Sequence, residues 1–269
     1  MIEALFLGLI QGLTEFLPIS SSAHIRIAGE FFSKASDPGA TFTAITQIGT
    51  ELAVLIYFRR DILAILKAWI SRDGSHEAKL GNLIIIGSLP IIALGYLGQD
   101  YIRDTFRTLW IVAIMLIVFG LILGIADRIG GNVKNLTNLN ARDGIAYGFA
   151  QSLALIPGVS RSGATIALGR LLGYQREAAL RYSFLLALPA VFGSGLYELK
   201  SAISDTTTSP FTLAETFVAT ATAFIVGYLV IAWLMKFITT KSFMPFVVYR
   251  VLLGSALLIA LATGVISAQ

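Results

Sequence analysis

The apolar positions of this chain gather into long runs rather than into alternating or one-sided patterns. Six stretches, 42–58, 82–98, 109–126, 182–199, 213–235 and 246–266, are rich in Leu, Ile, Val, Ala and Phe. Each is bounded by charged or turn residues, such as Arg59-Arg60-Asp61 after the first. A bilayer core takes a helix of about 20 apolar residues, with a range of about 17–25, so each stretch reads as a membrane-spanning helix. Two further stretches are apolar but interrupted. Residues 2–32 are broken by Pro18 and Ser20-Ser21-Ser22, and residues 143–172 by Pro157-Gly158 and Ser160-Arg161-Ser162-Gly163. Proline lacks an N–H and breaks a helix. Bare backbone in lipid is so unfavourable that such breaks survive at membrane depth only inside protein or beside a water-filled cavity. The pattern therefore predicts two re-entrant helix–break–helix hairpins, each entering and leaving on one side.

The two broken segments resemble each other at a constant offset of 140 residues. Gly8 matches Gly148, Gln11 matches Gln151, Leu13 matches Leu153, Ser20 matches Ser160 and Ser22 matches Ser162. Each half then reads hairpin, span, span, span. Three spans are an odd number and a hairpin does not change sides, so the second half starts on the opposite face from the first. The expected fold is an all-α polytopic membrane protein with an inverted-topology repeat, whose broken elements meet near the midplane. It forms one integral membrane domain, 1–269, with repeat 1 at about 1–130 and repeat 2 at about 141–269. Loop charge orients it. Arg59, Arg60, Lys67, Arg72, Lys79, Arg128, Lys134, Arg142, Arg176, Arg181, Lys236 and Lys241 collect on one side, against Lys34, Arg103, Arg107 and Lys200 on the other. The positive-inside rule makes the first side cytoplasmic and puts both termini outside.

Composition narrows the class further. Hydrophobic residues make up 56% and charged residues 13% of the 269 positions. A soluble domain carries about 25% charged residues. The mean hydropathy is +0.78. These values exclude a disordered chain and argue against a water-soluble globule. Cysteine is absent, so neither a disulfide framework nor a thiolate metal site is open to the chain. Two histidines, His24 and His76, are too few for a multi-histidine metal site. The net charge of +4 is spread over loops with no basic run, so no nucleic-acid partner is expected. Met1 to Gln11 is apolar but contains Glu3 and no Lys or Arg, so it is read as mature protein rather than a secretory signal.

Polar groups at membrane depth are expensive, and each is a functional hypothesis by default. The first hairpin holds Gln11, Glu15, Ser20, Ser21, Ser22, His24 and Arg26. Gln11 and Glu15 are four apart and share a helix face. The second contributes Ser160, Arg161, Ser162 and Thr165 just after Pro157-Gly158. A tight turn opening a helix presents free N–H groups to an anion, and a guanidinium adds five donors, giving a site of phosphate type. Plainer roles are open for several of these residues. Glu15 and Arg161 could form a structural ion pair. The serines could cap helices, Thr165 could support the turn, and Gln11 and Gln151 could act as helix glue. Glu51 suits either the pocket or the outer interface. Arg26, Arg170 and Arg250 are expected to reach the headgroups.

The stretch Gln11–His24, Q-G-L-T-E-F-L-P-I-S-S-S-A-H, resembles the (E/Q)-x-x-x-E motif and following serine/histidine segment of undecaprenyl-diphosphate phosphatases of the bacitracin-resistance type. The stretch Pro157–Thr165, P-G-V-S-R-S-G-A-T, is similar to that family's second signature. Thr46-Gln47-Ile48-Gly49 and Phe184-Leu185-Leu186-Ala187 extend the likeness over essentially the whole chain. The resemblance implies a plasma-membrane enzyme of bacteria, opening to the outer side. Such an enzyme removes the terminal phosphate of undecaprenyl diphosphate, recycles the lipid carrier for peptidoglycan and confers bacitracin resistance. It also implies a divalent cation, Mg²⁺ or Ca²⁺, held in part by Glu15. By motif position Glu15, Ser21, His24 and Arg161 are the catalytic residues; Gln11, Ser22, Ser160, Ser162 and Thr165 are expected to bind substrate. Gln11 stands where many members have Glu, leaving one carboxylate in the motif. The nucleophile stays open between His24, Ser21 and water. The competing class is an anion or polyprenyl-phosphate transporter, since inverted repeats are a transporter device. A homodimer is compatible with the sequence, although the span exteriors offer no clean seam.

Overall fold

The computed structural model describes residues 1–32, 39–98, 106, 108–204 and 210–266. Lys34, Arg103 and Arg107, three of the four expected outer-side cations, lie outside the described residues. The described chain is helical, with no strand beyond an isolated bridge between Lys134 and Tyr174. In chain order the helices are α1 (Ile2–Thr14), α2 (Ser21–Gly29), α3 (Gly39–Tyr57), α4 (Arg59–Ser71), α5 (His76–Leu97), α6 (Leu109–Ile129), α7 (Ala141–Ser152), α8 (Arg161–Leu171), α9 (Arg176–Ser204), α10 (Leu213–Ile238) and α11 (Met244–Ala262). All six expected spans fall on helices. Among the described residues, five of these helices, α5, α6, α9, α10 and α11, are long and apolar enough to cross a membrane.

Local chemistry sets where the helices begin. Ser20, Ser75, Thr108, Asn140, Ser160 and Thr212 each stand just before a helix, and each side chain accepts a hydrogen bond from a backbone N–H in its first turn. Those N–H groups have no partner inside the helix, so a side-chain oxygen there stabilises the start. The expected breaks are real: the chain is non-helical around Pro18 and again around Pro157-Gly158, with a short 3₁₀ turn at Leu153–Leu155 ahead of the second.

One element was hidden in the sequence. The stretch after Arg59-Arg60-Asp61, read as a boundary, forms α4. Its Ile65 and Ala68 are buried while Leu63, Leu66 and Ile70 are exposed. At about 1.5 Å per residue such a helix is too short to span a bilayer.

Packing between the halves is reciprocal. The first limb of the first break, α1, lies against α10, and the first limb of the second break, α7, lies against α5. In addition α3 packs on α9 and α6 on α11. Glycines make the two limb contacts. A Cβ at Gly8 would run into the backbone of Ala219, and one at Gly148 would lie 2.5 Å from the Gly87 carbonyl oxygen. Beneath the breaks an apolar cluster containing Phe16, Phe58, Phe184, Tyr147 and Tyr182 fills the interior.

A buried ionic knot joins four helix ends. Asp127 accepts from Arg176 Nε at 2.6 Å, pairs with Arg170 Nε at 3.3 Å and accepts from the Phe243 N–H at 3.0 Å. Arg170 also donates to the carbonyls of Gly131, Tyr174 and Gly130. Far from reaching headgroups, Arg170 is 1% exposed. Its partners are carbonyls freed at the ends of α6 and α8, which need donors once the helices stop.

Candidate active site

Both breaks end on a serine with left-handed backbone: Ser20 has φ 74° and Ser160 has φ 70°. That region is rare for residues other than glycine, and such strain persists only where surrounding structure holds it. The holding is visible and equivalent in the two places. Ser20 Oγ accepts from the Ala23 N–H and lies 3.2 Å from Ser22 Oγ; Ser160 Oγ accepts from the Gly163 N–H and lies 3.2 Å from Ser162 Oγ. Each turn thus delivers one side chain at the first position of the following helix, Ser21 on α2 and Arg161 on α8.

These two side chains converge on Glu15. Ser21 Oγ donates to Glu15 Oε2 at 2.5 Å, Gln11 Nε2 donates to the same oxygen at 2.7 Å, and Arg161 Nη2 donates to Glu15 Oε1 at 2.7 Å. The expected face of Gln11 and Glu15 is therefore real, and the acid of one broken segment meets the guanidinium of the other. Arg161 Nη2 also donates to Glu51 Oε1 on α3, again at 2.7 Å. Glu51 is 0% exposed. Three polar atoms of this cluster are buried without a partner among the described residues: Arg161 Nη1, Glu51 Oε2 and Gln11 Oε1.

His24 faces another way. Its Nδ1 lies 2.7 Å from the Ser20 carbonyl and its Nε2 lies 2.7 Å from the Tyr249 hydroxyl. A carbonyl only accepts, so Nδ1 carries the proton and Nε2 accepts from Tyr249. The two rings stack with centroids 5.5 Å apart. Ser21 is therefore bonded to an acid, and the arrangement in which His24 serves as its base is not the one observed.

The other expected substrate residues make contacts within the protein. Ser162 Oγ donates to the Leu17 carbonyl at 3.3 Å, linking the second break to the first. Thr165 is fully buried; its hydroxyl donates to the Arg161 carbonyl at 2.8 Å and lies 2.5 Å from Ser183 Oγ. Gln151, the counterpart of Gln11, is buried with no partner among the described residues for either side-chain polar atom, so it forms no helix glue of the hydrogen-bonded kind among them.

Glu51, Arg250 and Tyr249 also lie at the site, and of these only Glu51 had been weighed for the pocket. Arg250, expected at the headgroups, is 0% exposed. It donates to the carbonyls of Pro18 in the first break, Gly158 and Val159 in the second, and Met115 and Leu116 of α6. Carbonyls left by two broken helices attract a planar five-donor group more strongly than water at the interface does. Arg26, also expected to reach out, is buried and paired with Glu30. Glu51 and Arg250 were detectable as charges inside apolar runs. Tyr249 gave no such signal.

Oxygen is the donor type that a hard divalent cation takes, and Mg²⁺ is commonly held by one or two carboxylates plus substrate phosphate. Glu15 and Glu51 supply such oxygens, but no group of three His, Asp or Glu among the described residues is placed to cage a metal. A cation facing these two acids would take its remaining ligands from a bound phosphate or from water rather than from protein alone.

Comparison with known proteins points the same way. The family described as bacitracin resistance protein BacA matches residues 4–256. A protein named undecaprenyl-diphosphatase from Micrococcus luteus is 61% identical, covering 99% of both chains. One of the same name from Pseudarthrobacter chlorophenolicus is 60% identical over 99% of both. Undecaprenyl-diphosphatase 2 of Agrobacterium fabrum is 59% identical over 99% of this chain and 97% of its own.

Proposed function

This chain belongs to the bacitracin resistance protein BacA family, and from that membership we propose how it works as an undecaprenyl-diphosphate phosphatase. It is a multi-pass membrane protein whose substrate is a polyprenyl diphosphate lipid. The observation that carries the mechanism is the 2.5 Å hydrogen bond from Ser21 Oγ to Glu15 Oε2, with Glu15 fixed on its other side by Arg161. A hydroxyl bonded to an oriented acid is an activated nucleophile.

Arg161 holds the terminal phosphate through its free Nη1. Phosphoryl transfer depends mainly on positioning and charge stabilisation. Ser21 Oγ attacks the terminal phosphorus while its proton passes to Glu15. The bridging P–O bond breaks, and the lipid monophosphate leaves. Water then cleaves the serine–phosphorus bond, Ser21 Oγ regains its proton from Glu15, and inorganic phosphate departs. His24, three residues along α2 from Ser21, takes the proton of that water at Nε2 after Tyr249 turns aside. A Mg²⁺ or Ca²⁺ ion facing Glu15 and Glu51 would supply Lewis-acid neutralisation of the diphosphate charge. Gln11 orients Glu15, and Ser22, Ser160, Ser162 and Thr165 hold the turns that aim Ser21 and Arg161.

The same reading places the protein in the bacterial plasma membrane, opening to the outer side. It takes the chain as an inverted repeat with two re-entrant hairpins. The matching left-handed serines and the reciprocal packing of α1 on α10 and α7 on α5 support that topology. A transporter would have no use for a hydroxyl bonded to an acid.

The test is phosphate release from a polyprenyl diphosphate by purified protein in detergent. Ser21→Ala and Arg161→Ala are expected to abolish turnover while remaining folded. Glu15→Gln, which removes the acid that receives the proton, is expected to lower it by about 10²–10⁴-fold. Undiminished turnover in Ser21→Ala would remove the serine mechanism.

A further inference from the structure

We propose that Glu51 is the second acid of this site, replacing from α3 the carboxylate that the motif lacks at Gln11. Its role is to position Arg161. The proposal rests on the phosphatase reading above and adds to it a residue outside both motifs.

The geometry is specific. One guanidinium nitrogen, Arg161 Nη2, is shared between Glu15 Oε1 and Glu51 Oε1 at 2.7 Å each. Glu51 has no exposed surface, and its other oxygen has no partner among the described residues. Burying a second carboxylate beside an already neutralised ion pair is unfavourable unless something further uses it. A structural ion pair needs only one acid per guanidinium. The second acid pulls Nη2 away from a simple fork-to-fork pairing with Glu15, the geometry that arginine and a carboxylate otherwise prefer. Held between two acids by one nitrogen, the guanidinium keeps Nη1 unpaired, and that nitrogen is then available to a phosphate oxygen.

Gln11 gives the arrangement its logic. It donates to Glu15 Oε2 through its amide nitrogen. A carboxylate at position 11 has no hydrogen to donate and would repel Glu15. Glutamine there holds Glu15, and Glu15 with Glu51 puts two acids around one guanidinium. The charge count of a two-acid motif is kept while its location is moved to a neighbouring helix.

The experiment relocates the charge. Kinetics are measured with a soluble-chain polyprenyl diphosphate on wild type, Glu51→Gln, Gln11→Glu/Glu51→Gln and Arg161→Ala, each first checked for a monodisperse detergent complex. In Glu51→Gln, Arg161 closes onto Glu15, so KM is expected to rise at least tenfold with a smaller fall in kcat. The double variant, which restores a second acid but loses the Gln11–Glu15 hydrogen bond, is expected to bring KM at least threefold below that of Glu51→Gln, with kcat below wild type. A purely structural Glu51 would lower thermal stability, and a glutamate at position 11 would not restore KM. An unchanged KM in Glu51→Gln, or no recovery in a folded double variant, overturns the proposal. Should Glu51→Gln not fold, the double variant decides alone: folded and active sustains the proposal, and folded but inactive, or unfolded, overturns it. Failure of the wild type to release phosphate would instead remove the phosphatase reading. A normal wild type, a dead Arg161→Ala and an unaffected Glu51→Gln remove only the role of Glu51.

Discussion

Arg250 offers the sharpest test of how the two breaks are held in register. Its guanidinium has no exposed surface, and among the described residues no carboxylate pairs with it. Its charge is met by five carbonyls, from Pro18, Gly158, Val159, Met115 and Leu116, at 2.8–3.1 Å. Truncation to alanine removes every one of these bonds and leaves the buried carbonyls of Pro18, Gly158 and Val159 at breaks where no continuing helix satisfies them, while Met115 and Leu116 lie within the continuous α6. Each abandoned acceptor costs about 1–3 kcal/mol, although some will relax toward new partners. Loss of one member of a buried charged set typically costs about 3–5 kcal/mol in total, so we expect about 4 kcal/mol for Arg250→Ala. At roughly 2–4 °C per kcal/mol, the melting temperature in detergent should fall by about 8–16 °C. Turnover should fall with it, because Ser21 and Arg161 are aimed by the turns that Arg250 ties together. Arg250→Lys keeps the charge but replaces a planar fork by a point donor, and should recover part of the stability and little of the activity. A melting temperature unchanged in Arg250→Ala, with normal phosphate release, would show that the breaks are fixed by something else.

Other outcomes follow from the same contacts. Tyr249→Phe removes the hydroxyl that donates to His24 Nε2. It should lower kcat less than His24→Ala and lower the melting temperature by no more than about 4 °C, since a half-exposed single hydrogen bond contributes only about 1 kcal/mol; a loss equal to that of His24→Ala would make the tyrosine itself essential. Gly148→Ala places a methyl 2.5 Å from the Gly87 carbonyl. Such overpacking costs about 1–3 kcal/mol, to be read as a lower melting temperature; an unchanged value would mean that α5 and α7 part freely. Chelation should suppress turnover without lowering the melting temperature, because no three His, Asp or Glu among the described residues form a cage. A large thermal shift on chelation would reveal a metal built into the fold.

The sequence was most legible where physics leaves few choices. Apolar runs of spanning length dictate helices because lipid cannot satisfy a bare backbone, and all six expected runs are helical. Prolines 18 and 157 mark the two breaks for the same reason, and the serines after them cap the next helices because their hydroxyls satisfy N–H groups that the helix cannot. Glu15 and Arg161 stood out as charges inside apolar segments, which seldom lack a purpose, whereas Ser21 was singled out from its serine run only by its place in the family motif. Helix α4 was less visible, its short apolar face lying among charges that read as a loop.

Periodicity along a chain says which face of a helix a residue occupies and nothing about which distant helix meets that face. Only the tertiary structure therefore decided that Glu51 joins Arg161 across 110 positions, that Tyr249 takes the free nitrogen of His24 across 225, and that Arg250 turns inward to the carbonyls of both breaks. A buried charge settles wherever opposite charge or unsatisfied backbone is densest, and that place exists only once the helices have packed.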